Sequence, residues 1–303
     1  MRRKKQTLNR LPTEEYFERG HRACAGCGAA IAMRMVLKAA GKDTIVSHAT
    51  GCMEVCSTPY PQSAWKVPWI HAAFENAAAV ASGVERALKH QKKKTKVLAI
   101  GGDGGTFDIG FQALSGAAER GHDFCYVCYD NGAYMNTGIQ RSGATPPGAA
   151  TTTSPAGSKV HGKQEFKKDM PLIMATHGAY VGTSTIAFPQ DIYNKVKKGI
   201  EHPGPAYVQV YASCPRGWVH GSDMAVEIAK LAYQTRVTPL FEVEDGYLTF
   251  SKKPSTEKHV EEYFKTQKRF AHLSQKDIAK VQDWVDKHFK KLEALEAAQV
   301  QLS

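Results

Sequence analysis

The chain has 303 residues, 42% hydrophobic and 23% charged, with 40 basic against 29 acidic residues and a formal net charge of +11. That length and apolar fraction suffice for one large or two ordinary packed domains and exclude disorder as the main state. No apolar run reaches the roughly 18 residues of a bilayer-spanning helix, and no apolar segment follows the charged start MRRKKQTLNRLPTEE, so it does not read as a secretory signal.

Helical and strand patterns alternate through the first 250 residues. Cys27 to Ala40 reads as a helix stopped by Gly41, and Thr44 to Ser47 as a short buried strand. A Pro- and Gly-rich loop follows through Pro68, then a small-residue helix from Ala72 to Lys89. Lys96 to Ile100 (KVLAI) is a buried strand ending at Gly101-Gly102, Gly110 to Arg120 a helix closed by Gly121, and Phe124 to Tyr129 a strand. A Gly/Thr/Pro-rich segment from Gly132 to about Gln164 is too long for an idle connection and reads as either functional, as a cover, or disordered. The alternation continues with Ala179 to Thr185, a helix near Gln190 to Gly199, Ala206 to Tyr211 and a helix from Met224 to Arg236. Ser274 to Ala298 reads as a helix rich in Lys, Glu and Ala. The expected fold is α/β, a mostly parallel sheet with helices on both faces, over residues 1–250, with a helical extension over 251–303.

The positive charge invites a nucleic-acid reading. Its basic residues fall in the first ten positions, in Lys89 to Lys96 between an apolar helix and an apolar strand, and in the tail from Lys252 to Lys291 among Asp and Glu. This is the pattern of a solvated surface with a basic bias, and an acidic protein partner fits it as well as nucleic acid does.

The segment KVLAIGGDGGTFDIGFQALSGAAERGHDFCYVCYDNGAYMNTG carries the most chemistry. Gly102-Asp103-Gly104 follows a buried strand and precedes a helix, the carboxyl edge where open α/β sheets bind ligands. Glycines there let backbone N–H groups approach a phosphate, and the helix start favours negative charge. Asp103 offers a hard oxygen for Mg²⁺. Asn131 stands 28 residues on, at the end of the next strand, so one strand–helix–strand unit returns it to the same edge. GDG followed at this distance by Asn looks like the thiamine-diphosphate signature. The bland alternative is that Asp103 caps a helix and Asn131-Gly132 is a turn.

Seven cysteines, an odd number in a chain too large to need staples, read as thiols or as metal or cluster ligands, with nothing pointing to an oxidising compartment. Cys24-Ala25-Gly26-Cys27 can chelate one centre from a turn before a helix. Cys125 and Cys128 share that spacing but lie in an apolar strand, where positions three apart face opposite ways, so they read as core. Cys24, Cys27, Cys52 and Cys56 would make a compact zinc knot. Cys24, Cys27, Cys52 and Cys214, the last preceding Pro215, would make a [4Fe–4S] site. Spacing alone does not choose between them.

Taken together, CAGCG at Cys24–Gly28, TGC at Thr50–Cys52, GDGGTFDIG at Gly102–Gly110, YDNGAYMNTGIQRS at Tyr129–Ser142 and CPRGW at Cys214–Trp218 resemble the beta subunit of the 2-oxoacid:ferredoxin oxidoreductases, most nearly the pyruvate enzymes. The resemblance runs from about Arg22 to Lys252. It implies a [4Fe–4S] cluster on Cys24, Cys27, Cys52 and Cys214, with Cys56 a bystander. It also implies Mg²⁺ on Asp103, Asn131 and the Ala133 carbonyl, a diphosphate cradle from Gly102, Asp103, Gly104 and Gly105, Cys52 against the thiamine diphosphate, and Asn136 as an active-site polar residue near the thiazolium. Some relatives carry Glu after the CxxCG motif where this chain has Ala29, which puts one polar cofactor contact in doubt.

The activity so implied is CoA-dependent oxidative decarboxylation of a 2-oxoacid, pyruvate foremost, in the cytoplasm, with electrons leaving singly to ferredoxin. 2-Oxoisovalerate, 2-oxoglutarate and oxalate are the alternative substrates. The carboxylate that promotes the ylide is expected from a pyrimidine-binding alpha-type partner, beside gamma-type and ferredoxin-like delta-type chains, so this chain is expected to be inactive alone. Neither nucleic acid nor membrane is an expected partner. Two other classes stand beside this one: a non-redox thiamine lyase or synthase with structural cysteines, and a zinc-containing nucleic-acid-binding protein.

Overall fold

The structure, a computed structural model, describes residues 11–303; the basic first ten residues, and with them most of the leader reading, lie outside the described residues. The elements run in the order α1 (Gly28–Ala40), β1 (Thr44–Ala49), α2 (Cys52–Ser57), β2 (Trp69–Ala72), α3 (Ala77–His90), β3 (Lys96–Gly102), a π-helical turn (Gly105–Ile109), α4 (Phe111–Glu119) and β4 (Cys125–Asp130). They continue with α5 (Met170–Ala175), β5 (Tyr180–Thr185), α6 (Pro189–Glu201), β6 (Ala206–Tyr211), α7 (Pro215–Trp218), α8 (Ala225–Gln234), β7 (Leu240–Glu244), β8 (Tyr247–Lys252), α9 (Val260–Phe264) and α10 (Gln275–Ala298).

Eight strands form one sheet in the order β2-β1-β3-β4-β6-β5-β7-β8. The first six pair in parallel, and β7 and β8 add an antiparallel edge. The central strands alternate between two apolar layers. Leu98, Ile100, Cys125, Val127 and Val208 face α1 and α6, while Val97, Ala99, Tyr126, Cys128 and Tyr207 face the opposite side, which Phe289 and Leu292 of α10 help to cover. Cys125 and Cys128 thus point to opposite faces, as strand geometry requires. Each fully buried Leu, Ile or Val in these layers contributes about 1.5–3 kcal/mol. A third apolar cluster joins Trp218, Ile228, Tyr263, Phe270 and Val281 under the C-terminal segment.

Three local expectations change. Ala72 is not in a helix: Trp69–Ala72 pairs in parallel with Val46–Ala49 as β2, and α3 begins only at Ala77. The Ala-rich run has helical composition, but the open edge of β1 recruits its start. Cys52 begins helix α2 rather than sitting in a loop. Sequence reading misses the hairpin β7–β8 although Asp245-Gly246, both at positive φ, stands between alternating apolar residues, and residue 251 lies within β8. The lysine-rich turn between α3 and β3 lies at the amino edge of the sheet, opposite the carboxyl edge where β3 and β4 end. Among the described residues no helix is long and apolar enough to cross a membrane.

Candidate active site at the carboxyl edge of the sheet

β3 stops at Gly102 and a helical turn begins at Asp103, so the first N–H groups of that turn have no partner within it, and Gly102 to Gly105 line the pocket. The glycines are there for space. A Cβ on Gly104 would meet the Tyr134 ring at 2.5 Å, and one on Gly101 would meet the Tyr126 hydroxyl at 2.3 Å. The next five residues form the π-helical turn, whose Asp108 accepts from the Gly143 N–H at 2.8 Å, from the Tyr134 hydroxyl at 3.2 Å and from Lys168 at 2.8 Å.

Asp103 is 1% exposed. Its Oδ1 accepts from the Asn131 backbone N–H at 3.3 Å and its Oδ2 from the Ser142 hydroxyl at 2.5 Å. Burial, and then the negative charge of Asp130, push its carboxyl up to about 8, with Ser142, Lys167 and Asn131 pulling the other way. The Asn131 side-chain amide lies 2.9 Å from both Asp103 Oδ1 and the Ala133 carbonyl oxygen. With its nitrogen turned in, the amide donates to both; with its oxygen turned in, three oxygens meet there, an arrangement that a hard cation would satisfy. The donor set therefore fits Mg²⁺. Asp103, Asn131 and Ala133 are the three residues expected from sequence.

One pocket is lined by Gly102 to Gly105, Asp103, Asn131, Ala133, Asn136, Cys52, Thr50, Phe74, Tyr129 and Tyr134, among others. It brings every residue expected at the diphosphate and thiazolium into one cavity. Asn136 stands exposed at its rim. Cys52 lies on its wall and belongs at the same time to the cysteine group behind it.

That group is assembled by three loops. The Gly28 N–H donates to the Ser213 carbonyl at 3.1 Å, the Arg22 N–H to the Cys56 carbonyl at 2.7 Å, and Gly26 packs so closely on Ser222 that a Cβ would overlap it at 2.0 Å. Burial pushes Cys52 up to about 12, and the charges of Cys214, Cys27, Cys56 and Cys24 push it the same way. Cys27 and Cys214 are raised chiefly by burial as well. Thiols raised in this way become thiolates only around a cationic centre. The Cys214 sulfur accepts the Gly217 N–H at 3.3 Å, whereas the Cys56 thiol is turned onto the Met53 carbonyl at 3.7 Å. All seven cysteines are free thiols. Among the described residues no group of three or more His, Cys, Asp or Glu side chains is set closely enough to hold a metal ion.

Sequence reading missed the supports. Asp130 is fully buried, accepts from Gln209 at 2.8 Å, from the Gly132 N–H at 3.1 Å and from Lys167, and shapes the turn that carries Asn131. Ser142 and Tyr134 lie within a motif already singled out, but nothing in their spacing told which acid each would meet. The segment after Ala133 is pinned to α10, where the Phe166 ring stacks on Trp284 at 5.1 Å and His161 pairs with Asp277 at 3.0 Å.

A family model described as the thiamine pyrophosphate enzyme, C-terminal TPP binding domain, matches residues 49–210. The chain is 56% identical over 291 residues to the pyruvate synthase subunit PorB of Methanocaldococcus jannaschii, covering 93% of this chain and 98% of that protein. It is 45% identical to the ketoisovalerate oxidoreductase subunit VorB of Pyrococcus furiosus, covering 94% of each. Among solved structures it resembles a 2-oxoglutarate:ferredoxin oxidoreductase from Magnetococcus marinus, solved with 2-oxoglutarate, coenzyme A and succinyl-CoA bound. That match has 25% identity, a TM-score of 0.58 and coverage of 68% of this chain and 70% of that chain.

Proposed function

Since the chain belongs to the PorB-type subunits of the 2-oxoacid:ferredoxin oxidoreductases, within the thiamine pyrophosphate enzymes, we propose that its complex carries out the CoA-dependent oxidative decarboxylation of pyruvate with ferredoxin as electron acceptor. The observation that carries this reading is the meeting of the Asp103 carboxyl, the Asn131 amide and the Ala133 carbonyl beside a glycine cradle, with a cysteine of the thiol group on the wall of the same pocket. Pyruvate is preferred because the relatives at 53–56% identity are pyruvate synthase subunits. The ketoisovalerate relative and the 2-oxoglutarate structure keep those acids, with oxalate, as the substrates to compare. The family displaces the lyase and nucleic-acid readings.

When bound, thiamine diphosphate supplies the carbon that takes the 2-oxoacid's keto carbon and the electron sink that lets CO₂ leave. The chain's own residues hold and orient. Gly102 to Gly105 would present N–H groups to the diphosphate, and Asp103, Asn131 and the Ala133 carbonyl would hold a Mg²⁺ that offsets its charge. Asn136 reaches the substrate from the rim. Cys24, Cys27, Cys52 and Cys214 would hold a [4Fe–4S] cluster, which would supply one-electron chemistry beside the pocket that Cys52 lines. The segment from Gly132 to Gln164 covers the site and keeps water out. The carboxylate that meets the aminopyrimidine comes from an alpha-type partner, with gamma- and delta-type chains completing a cytoplasmic complex.

The test is anaerobic purification with the partner subunits. A brown complex that reduces a low-potential ferredoxin on adding pyruvate and CoA is expected, and a panel of 2-oxoacids ranks the substrates. A colourless, iron-free complex with full activity would refute the cluster, and full activity of Asp103→Ala would refute the site.

A further inference from the structure

The short helix α7 touches both halves of the site. Cys214 precedes it, and Trp218 is its last residue, with the Trp218 N–H donating to the Cys214 carbonyl at 2.9 Å. The Trp218 ring is fully buried, and its indole N–H donates to the Asn131 carbonyl at 2.6 Å. That carbonyl belongs to the peptide between Asn131 and Gly132, the hinge of the turn whose side chain and next carbonyl complete the magnesium set. Gly132 has a φ of 73°, a left-handed conformation that glycine adopts without steric cost.

The indole cannot swing away. The Arg269 guanidinium lies 3.9 Å from its ring centroid, and the Tyr211 ring packs at 5.4 Å. Arg269 is itself fixed, donating to Gln267 at 2.9 Å and to the Tyr263 hydroxyl at 2.9 Å, and it is 5% exposed. A buried guanidinium held over an indole spends its charge on the ring face. Two further bonds complete the turn: Thr145 donates to the Gly132 carbonyl at 2.7 Å, and the Gly132 N–H to Asp130.

We infer that Trp218 is a positioning residue for the magnesium turn, and that its N–H physically joins that turn to the loop carrying Cys214. The inference rests on the magnesium reading above. Trp218 does not line the pocket. It acts through the Asn131 peptide, so its loss should appear in the magnesium dependence of cofactor binding and not in the iron count. Breaking one buried hydrogen bond while leaving its acceptor in place costs about a tenfold change in the equilibrium it supports.

The experiment uses the whole complex, purified anaerobically, with thiamine diphosphate binding followed by calorimetry over a Mg²⁺ titration. Trp218→Phe keeps a ring under Arg269 but removes the donor. The Mg²⁺ concentration at half-saturation should rise about tenfold with iron content unchanged. Arg269→Gln, which frees the indole but keeps its N–H, should shift it in the same direction by less, and it serves as the second variant if the first assembles poorly. Half-saturation at the wild-type Mg²⁺ concentration in the variants would overturn the inference, as would loss of iron in step with loss of binding. Asp103→Ala separates the two failures: if it too binds thiamine diphosphate normally, the magnesium reading has failed; if it does not, only the role of Trp218 has.

Discussion

Replacing Asp103 by Asn separates the cost of building the metal site from its use. The Asp103 carboxyl is buried beside Asp130 and pushed up from 3.8 to about 8. Holding it in the folded chain at pH 7 therefore costs about 4 kcal/mol against the open chain, at about 1.4 kcal/mol per tenfold change. Asn keeps an acceptor for the Ser142 hydroxyl but turns an NH₂ toward the Asn131 N–H, which returns about 1–2 kcal/mol of that gain. The metal-free variant should thus be more stable than wild type by about 2 kcal/mol, seen as a melting midpoint a few degrees higher. Magnesium and thiamine diphosphate at a hundredfold excess over Kd should add about 2.7 kcal/mol to wild type and nothing to the variant. Melting curves with and without the pair, by circular dichroism under argon, would show the order of the two proteins invert. A variant that melts lower than wild type without ligand would refute the reasoning, as would one that gains from the ligand.

Three further outcomes follow from the same geometry. Cys214→Ser should lose most of its iron while Cys56→Ser keeps it, because the Cys56 thiol is spent on the Met53 carbonyl; iron assays on the two variants check this, and the reverse result would restore the compact knot. His48 is fully buried in a box of Trp65, Trp69 and Tyr129, and burial holds its ring down to about 3 against an ordinary 6.5. Between those values the unfolded chain takes up a proton that the folded chain refuses, so stability falls as pH falls through that window; His48→Gln should flatten unfolding free energy against pH by about one proton between pH 4.5 and 6.5, and an unchanged slope would refute it. Lys195 is 1% exposed and is held by the Thr183 carbonyl, Asp191 and Ser251 at 2.6–2.8 Å, so Lys195→Met should cost about 2–4 kcal/mol in urea unfolding. A loss under 0.5 kcal/mol would count against that buried network.

What the sequence determined by itself was the parallel sheet and which residues meet at its carboxyl edge. KVLAI and FCYVCY are short apolar runs bounded by polar and glycine residues, which read as buried strands, and a strand–helix–strand unit returns the chain to the same sheet edge, where Asp103 and Asn131 meet. The opposed faces of Cys125 and Cys128 follow from strand alternation in the same way. These are local rules that need no knowledge of neighbours. Tertiary structure alone decided the rest, because its partners lie far apart in the chain. Ser142 reaches Asp103 across 39 positions and Trp218 reaches Asn131 across 87. Trp69–Ala72 became a strand because β1 had an open edge, and Cys56 turned onto its own helix while Cys214 met a backbone N–H. Spacing names the groups able to bind a phosphate or a metal, while the direction each side chain faces is set by packing across the fold.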